Sequence, residues 1–235
     1  MTLARVLETE VMDTPEEARD YDAMDHREVN RLFAADLLAA LAADVAARAL
    51  DAPPLEILDL GTGTAQIPVE LCRQSDAVRV AAIDMAVSML DLAILNIETA
   101  GFRDRIMLDR VDAKLLPYES GRFAAAVSNS IVHHIPQPAL VLREAVRVTA
   151  PGGLIFMRDL LRPQDEETVR RLVDTYAAGA SEHARSMFAA SLHAALSLEE
   201  IRAMVAVLGS APDSVQATSD RHWTWNARVS RGQRG

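Results

Sequence analysis

Apolar residues along this chain follow two rhythms. Val29, Phe33, Leu37, Leu41 and Val45 recur every four positions and predict one face of a helix from near His26 to about Leu50. Asp25 and Glu28 have capping-box spacing at its start, and Pro53 and Pro54 end it. Short apolar runs then take over, predicting strands at 56–60, Val78–Ile83, Ile106–Val111, Phe123–Val127 and Leu154–Met157. Between them lie predicted helices at 65–73, with Pro68 tolerated in the first turn, from an N-cap at Ser88 to Ala100, and over Pro138–Val148. Gly101 stops the second helix and the turn Pro151-Gly152-Gly153 stops the third.

The tail changes character. Residues 164–209 read as two or three helices without a strand, with Ser197-Leu198-Glu199-Glu200 as another capping box. Ser214–Thr218 and His222–Val229 read as two strands joined by a short turn, which implies an antiparallel hairpin at the sheet edge. The expected architecture is therefore α/β: a doubly wound, mostly parallel seven-stranded sheet with a C-terminal antiparallel hairpin. Trp223 and Trp225 alternate with their neighbours and share one face, for packing on the sheet or, alternatively, for a dimer edge.

At 235 residues and 50% hydrophobic, the chain can bury a substantial single core. Its net charge of −10 argues against a nucleic-acid partner, whose phosphates it would repel. Cys72 is the one cysteine, so no internal disulfide forms, which fits a reducing cytoplasm; on the first core helix it is expected to pack inside. Glu8, Glu10 and Asp13 near the start, with no long apolar run, give no sign of a signal peptide. No stretch approaches the ~20 apolar residues that span a membrane. The richest, Leu37–Leu50, is broken by Asp44 and Arg48.

Candidate chemistry begins at Leu55–Ala65. A strand runs into Gly61-Thr62-Gly63 and a helix follows at once, so close backbone approach and unpaired helical N–H groups make a cofactor cradle. A nicotinamide fingerprint, Gly-x-Gly-x-x-Gly, would need glycine where Gln66 stands. The chain reads Asp59-x-Gly61-x-Gly63-x-Ala65 instead. This resembles motif I of the class I S-adenosylmethionine-dependent methyltransferases, with Ala65 in place of the last glycine. An acid at the cradle suits a cofactor with a positive amino-acid end and a sulfonium, and repels pyrophosphate.

The resemblance covers roughly residues 55–160. Asp84 ends the second strand, 21 residues after Gly63, where the family places an acid on the ribose hydroxyls. Met85 follows it, and Asp112-Ala113 follows the third strand, where the family contacts adenine. Ser128-Asn129-Ser130-Ile131-Val132-His133-His134-Ile135 resembles the Asn-x-x-x-His-His stretch of small-molecule members, and Leu142–Val148 with Pro151-Gly152-Gly153 matches a later segment. The resemblance implies S-adenosylmethionine as cofactor and S-adenosylhomocysteine as product, with Asp59, Gly61, Thr62, Gly63, Asp84, Met85, Asp112, Ala113, Ser128 and Asn129 binding it. It also implies residues 1–54 as a helical lid ahead of a core at 55–235, and a substrate-pocket insertion at about 164–196 that holds Tyr176, His183, Met187, Phe188 and His193.

Methyl transfer from a sulfonium is an in-line displacement in which alignment supplies much of the rate, and a base is needed only for a nucleophile with a proton of high pKa. Candidate catalytic residues are His133, His134, Asp159 and Tyr21. Adjacent side chains diverge, so one histidine at most is expected to face substrate, as base or as pocket wall. Asp159 is expected at the same mouth, orienting substrate, acting as base or pairing structurally with Arg158. Tyr21 and His26 can cover the cofactor. No metal is expected, because Ser128 and Asn129 stand where metal-dependent members need carboxylates and adjacent histidines rarely share an ion. The expected activity is methylation of a small molecule, with a homodimer possible; the alternatives are a nicotinamide oxidoreductase and a non-catalytic binding protein of the same fold.

Overall fold

A computed structural model of the protein describes residues 3–8, 13–23, 26–47, 49 and 52–231. Asp25 of the expected capping box, and Met24, Arg48 and Leu50, lie outside them. In chain order the elements are α1 (Pro15–Ala23), α2 (Arg27–Ala40), α3 (Ala42–Ala46), β1 (Leu55–Leu60), α4 (Gln66–Gln74), β2 (Val78–Asp84), α5 (Val87–Ala100), β3 (Ile106–Arg110), β4 (Phe123–Asn129), α6 (Pro138–Val148), β5 (Thr149–Leu160), α7 (Glu166–Tyr176), α8 (Glu182–Ala194), α9 (Leu198–Val207), β6 (Val215–Ala217) and β7 (His222–Arg228).

The seven strands form one sheet in the order β3-β2-β1-β4-β5-β7-β6. The first five are parallel, and β7 runs antiparallel to both β5 and β6. This is the doubly wound, mostly parallel sheet with an antiparallel C-terminal hairpin that the strand rhythm predicts. Both faces are buried, as a parallel sheet requires. Along β1, Ile57 faces a core shared with Phe33, Leu37, Val69 and Cys72, while Leu58 and Leu60 face a core holding Leu142, Ile201, Trp223 and Trp225. Both tryptophans are fully buried inside the chain, so the dimer-edge alternative loses the surface it rested on.

Several boundaries moved, each for a local reason. The expected helix from His26 divides at Leu41, although the apolar period continues and Leu41 still donates to the Leu37 carbonyl at 3.0 Å. α1 lies in a stretch with little periodicity. Thr14 and Glu17 form a capping box around Pro15, with N–H groups donated to Glu17 Oε2 at 3.1 Å and Thr14 Oγ1 at 3.2 Å. Ser88 is not an N-cap: the N-cap lies two residues earlier, at Ala86, and the Ser88 N–H donates to Asp13 Oδ1 at 2.9 Å. Pro151-Gly152-Gly153 is not a turn after α6 but part of β5, where the pairing of Phe123 and Ala125 shifts register. A Cβ on Gly153 would come within 2.7 Å of the Ala124 carbonyl oxygen, so only glycine fits this bulge.

Ser197 and Glu200 form the expected capping box of α9, and Gly101 ends α5 at φ +78°. Among the described residues no helix is long and apolar enough to cross a membrane.

Candidate functional site

Strand order places the site. β1 lies at the centre with β2 on one side and β4 on the other, so the chain reverses its winding between β1 and β4. In such sheets ligands bind outside the carboxyl ends of the strands at this switch point. A cleft of about 810 Å³, partly open to solvent, lies there. Gly61 and Gly63 wall it from the loop after β1, Asp84 and Met85 from β2, Asp112 and Ala113 from beyond β3, and Asn129 from β4.

The glycine loop turns sharply because three successive alternate residues have left-handed backbones: Gly61 at φ +69°, Gly63 at +55° and Ala65 at +60°. Ala65 immediately precedes α4, so the family's third glycine position needs the glycine conformation even where alanine supplies it. A Cβ on Gly61 would lie 2.3 Å from Ile131 Cδ1 and 2.8 Å from Ile131 Cβ. A Cβ on Gly63 would meet Tyr21 Cε1 at 3.7 Å, so glycine keeps the space beneath that ring open.

Asp84 is fixed by this loop. Its Oδ2 accepts the Gly63 N–H at 2.8 Å and its Oδ1 the Ala86 N–H at 2.9 Å. Burial pushes its carboxyl above the usual range, against the pull of those N–H groups. Asp112 is held by the Lys114 N–H at 2.8 Å on the rim.

Three expected cofactor residues do not reach the cleft wall. Ser128 is fully buried and its hydroxyl donates to the Leu60 carbonyl at 3.0 Å, tying β4 to β1. Thr62 is 9% exposed, and its N–H donates to the Ile83 carbonyl. Asp59 is 2% exposed within β1. Its carboxyl is pushed up to about 7, by burial first; Thr62 opposes this and the Asp84 charge adds to it.

The catalytic candidates separate. Asp159 does not face the mouth: it is 1% exposed, and one oxygen lies 2.5 Å from His133 Nδ1 while the other accepts the Val132 N–H. It also accepts the Leu160 N–H, and through the Val132 bond it holds the 3₁₀ turn at Val132–His134 against β5. Arg158, its expected partner, pairs with Asp36 instead. His133 is buried; desolvation pushes its imidazole down, but Asp159 outweighs this and the net shift is upward. His134 lines the cleft. The two rings do not diverge, because the tight turn stacks their centroids 4.1 Å apart.

Tyr21 lines the cleft from α1 and packs against His26 with ring centroids 5.0 Å apart. Burial and the charges of Asp59, Asp84 and Asp22 push its phenol up to about 12, so it stays protonated at neutral pH and keeps an O–H to donate. None of Tyr176, His183, Met187, Phe188 and His193 is on this wall. Tyr176 bonds Asp220 under the Arg221 guanidinium, and Phe188 packs on a core with Leu160 and Leu192.

Two residues to which the sequence assigns no role in the site are structural to it. Gln66, standing where a dinucleotide fingerprint has glycine, donates to Asp22 Oδ1 at 3.0 Å and accepts from Asn30 Nδ2 at 3.0 Å, pinning α1 and α2 to the cradle. Glu8 approaches both histidines, 3.1 Å from His134 Nδ1 and 3.7 Å from His133 Nε2. Neither carries a local signal, since each acts on residues more than thirty positions away.

Residues 58–157 match the family model described as a methyltransferase domain. Among curated relatives, the 27-O-demethylrifamycin SV methyltransferase of Amycolatopsis mediterranei is 30% identical over 105 residues, 45% of this chain and 38% of the relative. The demethylmenaquinone methyltransferase of Thermus thermophilus is 33% identical over 115 residues, 49% of this chain and 51% of the relative. The chain thus spans about half or less of the length of the curated relatives it matches. A S-adenosylmethionine-dependent methyltransferase of Aquifex aeolicus shares the fold, with a TM-score of 0.61 at 15% identity over 92% of this chain and 98% of the other.

Proposed function

We propose that this chain, a member of the class I S-adenosylmethionine-dependent methyltransferases, methylates a small organic acceptor in the cleft at the ends of β1, β2 and β4. The observation that carries the reading is Asp84: a carboxylate locked by the Gly63 and Ala86 N–H groups, with its edge on a glycine-walled cleft. That donor set fits the cofactor. Asp84 accepts from a vicinal diol, Met85 and Ala113 offer apolar contact for a flat base, and Gly61 and Gly63 allow close approach of backbone. S-adenosylmethionine, when bound, supplies a methyl group on a sulfonium, a good leaving group.

The chain's own residues then align and exclude water. Asp59, behind the loop, favours a positive amino-acid end once ionised. Tyr21 covers the glycine loop as a protonated donor. Asn129 and His134 wall the acceptor end, where His134 orients the acceptor or takes its proton if that proton is weakly acidic. His133 and Asp159 support the turn from behind. α8 packs against the same turn.

The net charge of −10 supports a small-molecule acceptor over nucleic acid, and the buried, unpaired Cys72 supports a reducing, cytoplasmic compartment. Calorimetry of the full chain should give one saturable site for S-adenosylhomocysteine and none for NADH. A mass-spectrometric metabolite screen should then find a product heavier by one CH₂ that depends on S-adenosylmethionine. Binding of NADH in place of S-adenosylhomocysteine overturns the reading.

A further inference from the structure

We propose that Glu8, His133 and His134 form a binding site for a divalent transition-metal ion of the zinc class, with Asp159 orienting one of its ligands. Among the described residues this is the one group of three or more His, Cys, Asp or Glu side chains whose ligand atoms all lie within 4.8 Å of one another. Zinc bonds of about 2.0–2.2 Å place tetrahedral ligand atoms about 3.3 Å apart. Glu8 Oε1 already lies 3.1 Å from His134 Nδ1 and 3.7 Å from His133 Nε2.

Three features make this more than proximity. His133 gives Nδ1 to Asp159 at 2.5 Å, which turns the other ring nitrogen, Nε2, toward Glu8; a carboxylate behind a histidine is how metal-ligating imidazoles are commonly fixed in tautomer and direction. Glu8 Oε1 and His134 Nδ1 are both buried and neither has a hydrogen bond of sound geometry, although they face one another. An ion between them satisfies both. The stacking of the two rings at 4.1 Å also removes the usual objection to adjacent histidines, since the 3₁₀ turn holds them together.

Charge fits as well. Glu8 and Asp159 bring two carboxylates to the turn, while Arg5, bonded through its guanidinium to the His133 and Ile135 carbonyls, brings a cation. Mixed imidazole and carboxylate donors suit zinc or cobalt better than magnesium or calcium. Three protein ligands leave one tetrahedral position open. His134 belongs to the cleft wall, so the ion would sit beside the cleft. The inference rests on this cluster alone and not on methyl transfer.

The test uses the untagged full chain, stripped with chelator and titrated with Co²⁺ by absorption and with Zn²⁺ by calorimetry. One equivalent should bind, with the visible bands of a tetrahedral cobalt site. Glu8→Gln and His134→Asn should each weaken binding at least tenfold, and Asp159→Asn ten- to a hundredfold as a change behind the ligand. His183→Asn, at an exposed histidine on α8, should change nothing. Thermal melts certify that each variant is folded, and Glu8→Gln, which leaves the turn and its Asp159 bonds intact, is the decisive one. The absence of stoichiometric binding, or binding equal in wild type and in Glu8→Gln, overturns the site. S-adenosylhomocysteine binding to the same stripped protein reports separately on the proposed function.

Discussion

Gly61→Ala separates two costs that the fold imposes at one position. The backbone there has φ +69°, which an alanine occupies at about 1–2 kcal/mol, offset by about 0.4–1 kcal/mol because unfolded alanine has less freedom to lose. The new Cβ would also meet Ile131 Cδ1 at 2.3 Å and Ile131 Cβ at 2.8 Å. Rotating the side chain relieves the first contact but not the second, so the turn carrying Ile131 must move, at about 1–3 kcal/mol for overpacking. The expected loss is about 2–4 kcal/mol in a urea melt of the unliganded chain. Gly63→Ala is the comparison: its φ is +55° but the nearest atom is 3.7 Å away, so about 1 kcal/mol is expected. In an Ile131→Gly background, which removes Cβ as well, the contact is gone, and Gly61→Ala should then also cost about 1 kcal/mol. An unchanged cost in that background refutes the contact argument. A cost below that of Gly63→Ala in the native background refutes the whole account.

Asp84→Ala removes the acceptor proposed for the ribose hydroxyls, and at about 1.5–3 kcal/mol for a charged hydrogen bond it should weaken S-adenosylhomocysteine binding roughly ten- to a hundredfold; an unchanged Kd dismisses that role. Asp59 titrates near 3.8 unfolded and about 7 folded, so the folded state keeps a proton that the unfolded chain has released. Its contribution is therefore greatest below pH 3.8 and is lost as pH rises toward 7, by about 4 kcal/mol. Urea melts should show the stability gap between wild type and Asp59→Asn shifting in that direction over pH 4–7, and a pH-independent gap contradicts it. Gln66→Ala unpins Asp22 and Asn30, and amide exchange in α1 should accelerate about tenfold for a loss near 1.4 kcal/mol; unaltered exchange there means Gln66 does not hold α1.

How much of this could be read before folding depends on the range of the interaction. The strand rhythm determined the sheet, because an apolar run buried on both faces and a helix after it leave few ways to wind. Asp59-x-Gly61-x-Gly63-x-Ala65 determined the cradle, because backbone conformation at a glycine is a local property; even the Ala65 departure was legible as one. The capping boxes at Ser197 and Thr14 are equally local, though the second precedes a helix with little apolar period. Failures came where a distant partner decided. Ser128 was captured by the Leu60 carbonyl, Asp159 by the turn at Val132–His134, and Pro151-Gly152-Gly153 by a register shift opposite Phe123.

The sequence by itself therefore determined the architecture of this protein and pointed to the cofactor class proposed for it, since periodicity and a short glycine loop carry both within a few residues. Tertiary structure alone decided which side chains meet in the cleft. Asp84 is anchored by a backbone 21 residues away, Gln66 joins helices that precede the core, and Glu8 reaches His133 and His134 across 125 positions or more. A hydrogen bond or ligand set between such positions depends on how layers stack, and no local pattern of hydrophobic and polar residues carries that information.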